Sequence, residues 1–175
     1  MQPIEVQQSR TIPLALEDAF RHVIVIPLPV MFSRRHLLMP PIKEVRDQDG
    51  DWGVAIGQTR TIETSDGGVM HEELTELDAP NLFGYDLTVM KGPMKGLVGG
   101  VKGQWRFAPD GDGTKVTWAW TLTPKSALTR PVLKLIARHW MGYAEKALEQ
   151  GQVEAVRMQA AESSGTPVGA GSSAS

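Results

Sequence analysis

The chain contains no cysteine. That excludes disulfides, thiolate nucleophiles and cysteine-ligated metals, and it accords with a reducing compartment. Histidine is scarce as well: His22, His36, His71 and His139 lie far apart. HEELT carries Thr75 where the HExxH zinc pattern needs its second histidine, so no metal site is expected. The glycine-rich GLVGGVKG lacks both the GK[ST] ending of a phosphate loop and GxGxxG spacing. DQDGDWG alternates aspartates, but its glycine is misplaced for a calcium loop and position twelve is Gln58 instead of Glu; it reads as a hairpin turn. No GxSxG elbow occurs. Nothing in these residues calls for a cofactor, and none is expected.

Long hydrophobic runs are missing too. The longest, Val23 to Phe32 (VIVIPLPVMF), is too short to span a bilayer and holds Pro27 and Pro29. It reads either as ordinary packing of short helices on a sheet or as an apolar lid. The N-terminus, MQPIEVQQSR, shows no basic stretch followed by an apolar one, so no secretory leader is expected. A net charge of −2 and a pI near 6.1 give no reason to expect nucleic acid or a membrane surface as partner. The expectation is a cytoplasmic protein with no stable membrane insertion, monomeric or weakly dimeric.

At 175 residues the chain is expected to form one domain over residues 1–157. A Ser/Gly/Ala-rich tail, 158–175, is expected to be disordered. Ile4 to Ile12 reads as a first strand. LEDAF and the proline-broken segment after it read as short helices. From Ile42 to Pro124, β-rich runs alternate with the turn clusters DQDGD, SDGG, DAPN, KGPMKG and PDGDG. That predicts about six strands joined as consecutive hairpins. After them, Leu133, Ile136, Trp140, Ala144 and Ala147 recur at three- and four-residue spacing. Pro131 suits a first helical turn. A helix from Pro131 to Val156 would be about 39 Å long at 1.5 Å per residue. Its apolar stripe has to be buried, and the surface available is the concave face of the sheet.

Aromatics make up only 6 % of the chain, yet five of them are tryptophans. Two stand two residues apart in TKVTWAWTL. Side chains alternate along a strand, so Val116, Trp118, Trp120 and Leu122 share a face. Val101, Gly103, Trp105 and Phe107 do the same one strand earlier, and Phe83, Tyr85, Leu87 and Val89 one strand before that. With Trp140 from the helix, the large rings converge under it, either as a solid core or around a cavity. Parity also places Gln58 and Arg60 with Val54, Ile56 and Ile62, and Glu72 with Met70 and Leu74. Arg60 and Glu72 are thus expected to point inward from adjacent antiparallel strands. Buried charges have to pair or meet water, and such a pair in an aromatic chamber suits the anchor of a ligand pocket.

The stretches GQTRTIETSDGG, HEELTELDAPNLFGYDL and GQWRFAPDGDGTKVTWAWTL, followed by a long terminal helix, resemble the polyketide cyclase/dehydrase-like branch of the START (SRPBCC, birch-pollen-allergen-like) superfamily. The likeness covers residues 3 to 155. It implies an α+β helix-grip fold: a seven-stranded antiparallel sheet wrapped around a C-terminal helix, with two short helices after the first strand. It also implies a cavity for a hydrophobic ligand such as a lipid, polyketide or aromatic compound. By motif match, the pocket arginine and glutamate of hormone-receptor relatives correspond to Arg60 in QTRTI and Glu72 in HEELTELD. Aromatase/cyclase relatives use arginine and aromatic hydroxyls, and Tyr85 is the hydroxyl that parity places inside the sheet. SDGG is a tight turn where those receptors carry gate loops.

The expected ligand-binding residues are Arg60, Glu72, Tyr85, Trp105, Trp118, Trp120, Ile136 and Trp140. Three functions fit them: a carrier or binder of a hydrophobic small molecule, an aromatase/cyclase/dehydrase-type enzyme using the same cavity, and a solid-core domain acting through a protein-binding surface. An enzyme needs an acid or base set against a substrate carbon; a carrier needs shape, apolar area and one or two anchors. The residues favour the carrier.

Overall fold

The computed structural model describes residues 2–165. β1 (Ile4–Ile12) is followed by α1 (Leu16–Val23) and α2 (Leu28–Met31). Six strands come next: β2 (Ile42–Arg46), β3 (Thr59–Thr64), β4 (Val69–Asp78), β5 (Leu82–Lys91), β6 (Val98–Asp110) and β7 (Gly113–Pro124). The chain then enters α3 (Arg130–Ser164). The seven strands form one antiparallel sheet in the order β1-β7-β6-β5-β4-β3-β2. This is the helix-grip architecture: a meander closed at one edge by β1, with α3 laid across its concave face.

Local chemistry explains the elements. α1 opens with Glu17 and Asp18 and carries Arg21 in its last turn, charges that complement the helix dipole at both ends. Pro29 falls in the first turn of α2, where its missing N–H costs nothing. The SDGG turn closes through the Thr64 N–H to the Gly68 carbonyl, with Gly67 at φ 82°, where a side chain would be strained. The inward parity sets are as expected: Val116, Trp118, Trp120 and Leu122 are buried, as are Trp105, Phe107, Phe83, Tyr85 and Leu87. Leu133, Trp140, Ala144 and Ala147 form the buried stripe of α3.

Two expectations need correction. The stretch 47–58 is not a hairpin turn with Val54 and Ile56 on an inward strand face. β2 ends at Arg46 and β3 begins at Thr59, and Val54 and Ile56 are 69 % and 61 % exposed. The loop is folded around the buried side chain of Gln58. Its Oε1 accepts the N–H groups of Gly53, Val54 and Ala55, and its Nε2 donates to the carbonyls of Asp49 and Asp51. One amide thereby satisfies five backbone groups, which strand parity cannot foresee. The second correction concerns the domain boundary. α3 does not stop near residue 157 but continues to Ser164. Met-Gln-Ala-Ala-Glu are good helix formers, and the extra turns are anchored on α1: Gln159 Oε1 lies 2.8 Å from His22 Nε2, and Arg21 donates to Glu162 at 2.6 and 2.8 Å. Residues 166–175, the rest of the expected tail, lie outside the described residues.

Candidate functional site

Between the sheet, the α1–α2 segment and α3 lies a cavity of about 550 Å³. Its walls are mostly apolar. Val101, Leu87 and Ile62 come from the strands, Ile26 and Phe32 from the segment between α1 and β2, and Ile136 from α3. A solid core would leave no such space. The apolar run 23–32 contributes Val23, Ile24, Ile26, Leu28, Met31 and Phe32 to this lining.

The polar equipment is small and concentrated. Arg60 and Glu72 are directly opposite in the β3–β4 register. Arg60 Nε donates to Glu72 Oε2 and Nη2 donates to Oε1, both at 3.0 Å. Both side chains are buried, so the two-bond geometry is what offsets their desolvation. It leaves Nη1 free of the carboxylate. The guanidinium carbon also sits 3.7 Å from the centre of the Trp52 ring, a cation–π contact in a desolvated setting. Trp52 reaches this place because the Gln58-centred loop carries it inward.

Tyr85 explains the paired tryptophans. Trp118 Nε1 donates to Tyr85 Oη at 2.9 Å and Trp120 Nε1 to the same oxygen at 3.3 Å. Both are on one face of β7, and the phenol oxygen takes both donors. Its own proton is then the one left to give. Burial, and behind it the nearby Glu72 carboxylate, pushes the Tyr85 hydroxyl well above the ordinary phenol range, so it stays protonated. Trp105 stacks on Trp118 with centroids 5.1 Å apart, and Phe83 stacks on Trp105 at 5.9 Å.

Of the expected site residues, Arg60, Glu72, Tyr85, Trp105, Trp118, Trp120 and Ile136 all line this one cavity. Trp140 does not. It is fully buried, packed on Trp118 at 4.7 Å and Trp120 at 5.3 Å, with its indole N–H unpartnered; it backs the wall instead of forming it. Trp52 and Tyr143 are among the lining residues that were missed. Trp52 had no visible signal, because its loop has no period. Tyr143 did have one: it lies seven residues after Ile136 and so on the same helical face. It stacks on Phe32 at 5.6 Å, and burial raises its hydroxyl above the ordinary range too. No histidine borders the cavity among the described residues, His71 is exposed on the outer face of β4, and no three His, Asp or Glu side chains cluster as a metal site among those residues.

Comparison with known proteins places this architecture. The family model described as polyketide cyclase / dehydrase and lipid transport matches residues 3–151, and the chain belongs to that family. Solved structures share the fold at low identity. The crystal structure of Ara h 8.0201 matches with a TM-score of 0.59 and 11 % identity, over 89 % of this chain and 99 % of that one. The di-domain ARO/CYC StfQ of the steffimycin biosynthetic pathway matches at 0.66 and 15 %, over 91 % of this chain and 52 % of that one, so this chain spans about half of it. Ginseng major latex-like protein 151 from Panax ginseng matches at 0.62 and 12 %, over 87 % and 97 %. No curated protein matches the sequence significantly.

Proposed function

We propose that the protein binds or carries a hydrophobic small molecule, of lipid, polyketide or aromatic type, in the cavity between sheet and α3. The observation that supports this most is the pairing of a large apolar chamber with very few polar groups. Its volume falls in the range of about 300–1,000 Å³ usual for ligand pockets. Arg60 Nη1 and the Tyr85 hydroxyl are hydrogen-bond donors at its wall, so the ligand should present an acceptor such as a carbonyl. The Arg60 charge is already matched by Glu72, which favours a neutral acceptor over a second carboxylate.

A cyclase or dehydrase reading uses the same chamber, and the pathway named for one structural relative supports keeping it. The proton inventory counts against it. Glu72 is held in a two-bond bridge, Tyr85 and Tyr143 are poor bases, and no histidine among the described residues lines the walls. What remains can polarise a carbonyl but supplies no evident base.

Native mass spectrometry of freshly purified protein tests the reading. A co-purifying apolar molecule, displaced together with a change in tryptophan fluorescence, is the expected result. Protein that takes up no lipid, polyketide or polycyclic aromatic compound under any loading condition would refute it. Conversion of a poly-β-keto substrate into a cyclised or dehydrated product would establish the enzyme instead.

A further inference from the structure

The net charge of −2 averages over a strongly uneven distribution. Three stretches of the chain contain no acidic residue at all: between Asp18 and Glu44, between Asp86 and Asp110, and between Asp112 and Glu145. The fold brings one piece of each to the same place, the mouth of the cavity. Arg35 comes from the segment after α2, Lys91 from the end of β5, and Val132 and Leu135 from the first turns of α3, and all four border the opening. Lys95 lies beside the lining residues Pro93 and Met94, and Arg138 is on α3 one turn after the lining residue Leu135. Arg35, Lys91, Lys95 and Arg138 are all exposed. Among the described residues none of these four forms a salt bridge. The carboxylate at the rim is Asp66, and it is engaged by the Thr64 hydroxyl and the Gly68 N–H of its own turn.

Within this basic ring the exposed side chains are aliphatic. Leu37 and Leu38 are each 61 % exposed. They form the tip of a tight turn closed by two backbone bonds between His36 and Met39, at 3.0 and 2.8 Å. Leu37 has φ 51°, a left-handed conformation that a glycine or asparagine would hold with less strain. The turn therefore thrusts two leucines into solvent at some conformational cost. Leu128, just before α3, is 90 % exposed; its segment is tied to the mouth by the Lys125 N–H donating to the Leu97 carbonyl. Aliphatic side chains projecting from a basic ring fit an anionic lipid surface, where leucines enter the acyl boundary and lysines and arginines meet headgroups. The apolar cavity lining is continuous with the leucine tip, so a lipophilic molecule would pass between bilayer and cavity without crossing water.

We propose that the mouth of the cavity docks reversibly on an anionic bilayer, with Leu37 and Leu38 dipping in and Arg35, Lys91, Lys95 and Arg138 contacting headgroups. This rests on the reading of the cavity as a site for an apolar molecule, but its test needs no ligand. The protein as isolated is floated with vesicles of phosphatidylcholine alone and of phosphatidylcholine mixed with phosphatidylglycerol, at low and high salt. Partitioning onto the anionic vesicles is expected, with little onto neutral ones and a clear loss at high salt. The variants L37S/L38S and R35E/R138E, checked for unchanged melting, should each weaken it by roughly tenfold or more. Equal partitioning onto both vesicle types, partitioning onto neither, or anionic binding that both variants retain would overturn the proposal, as would absence of vesicle binding alongside salt-sensitive binding to an acidic protein. Ligand uptake measured in the absence of vesicles separates a failure of docking from a failure of the cavity reading.

Discussion

The ring of Tyr85 occupies the space that a side chain at Gly103 would need. A Cβ on Gly103 would lie 2.1 Å from Tyr85 Cζ and 2.4 Å from its Oη. The two residues are register partners on β5 and β6, and the missing side chain lets the phenol lie flat across the next strand, within reach of both indole N–H groups of β7. Gly103→Ala should therefore displace the ring, break the hydrogen bonds from Trp118 and Trp120, and cost about 1–3 kcal/mol as an overpacked core. In a Tyr85→Ala background the same change should cost much less, because the clash is gone. Chemical denaturation of the four proteins of this cycle measures the coupling; additive losses would mean that the ring does not depend on the glycine.

The buried pair gives a second test. Glu72→Ala leaves the Arg60 guanidinium without its carboxylate inside an apolar wall, which costs roughly 3–5 kcal/mol when no water reaches the charge. The contact with the Trp52 face lowers that figure, as would any water that enters the cavity. Replacing Arg60 by Met and Glu72 by Leu together should recover much of the stability while weakening binding of carbonyl-bearing ligands, read by tryptophan fluorescence. Unchanged affinity in the double variant would make the pair purely structural.

The contrast between what was legible and what was not has a physical basis. Trp118 and Trp120, Arg60 and Glu72 were placed correctly by the two-residue period of a strand, which holds wherever the ladder is unbroken. Tyr143 was within reach of the helical period. Trp52 was not, because its position depends on the Gln58 side chain gathering backbone groups of an aperiodic loop. The mouth was hidden for a related reason: net charge is a sum, and the sum conceals three acid-free stretches that only the fold assembles.

The end of α3 shows the same limit. Its apolar stripe fades after Ala155, so periodicity stops while the helix does not. What holds the last turns is polar and distant in sequence: buried His22 meets Gln159, and Arg21 bridges Glu162 and Asp18. The Glu162 carboxyl is held below its usual range first by the hydrogen bond from Arg21. A chain ending at Arg157 should be less stable than one ending at Ser164 by about 1–3 kcal/mol, the usual consequence of leaving a buried polar group such as His22 unpartnered. Equal midpoints in urea for the two chains would show that the added turns contribute nothing.

The tyrosines supply a prediction in pH. The chain has two, Tyr85 and Tyr143, both facing the cavity, and both are pushed above the ordinary phenol value by burial, Tyr85 additionally by the Glu72 carboxylate and Tyr143 by Tyr85 itself. In the unfolded chain each titrates near pH 10. Folding therefore favours the protonated form, and the associated stability is present in full below the unfolded value. As pH rises from about 10 towards the folded values, the unfolded chain gives up these protons and the folded one keeps them, so stability falls. Phenolate absorbance should accordingly stay absent from the native protein just above pH 10 and then appear together with the loss of far-ultraviolet circular dichroism, in one cooperative step. Substituting both tyrosines by phenylalanine should flatten this alkaline loss, although the lost Trp118 and Trp120 acceptor lowers stability at neutral pH. Phenolate appearing near pH 10 while the fold remains intact would show that water reaches the hydroxyls freely, and the cavity wall would then be far more open than its geometry indicates.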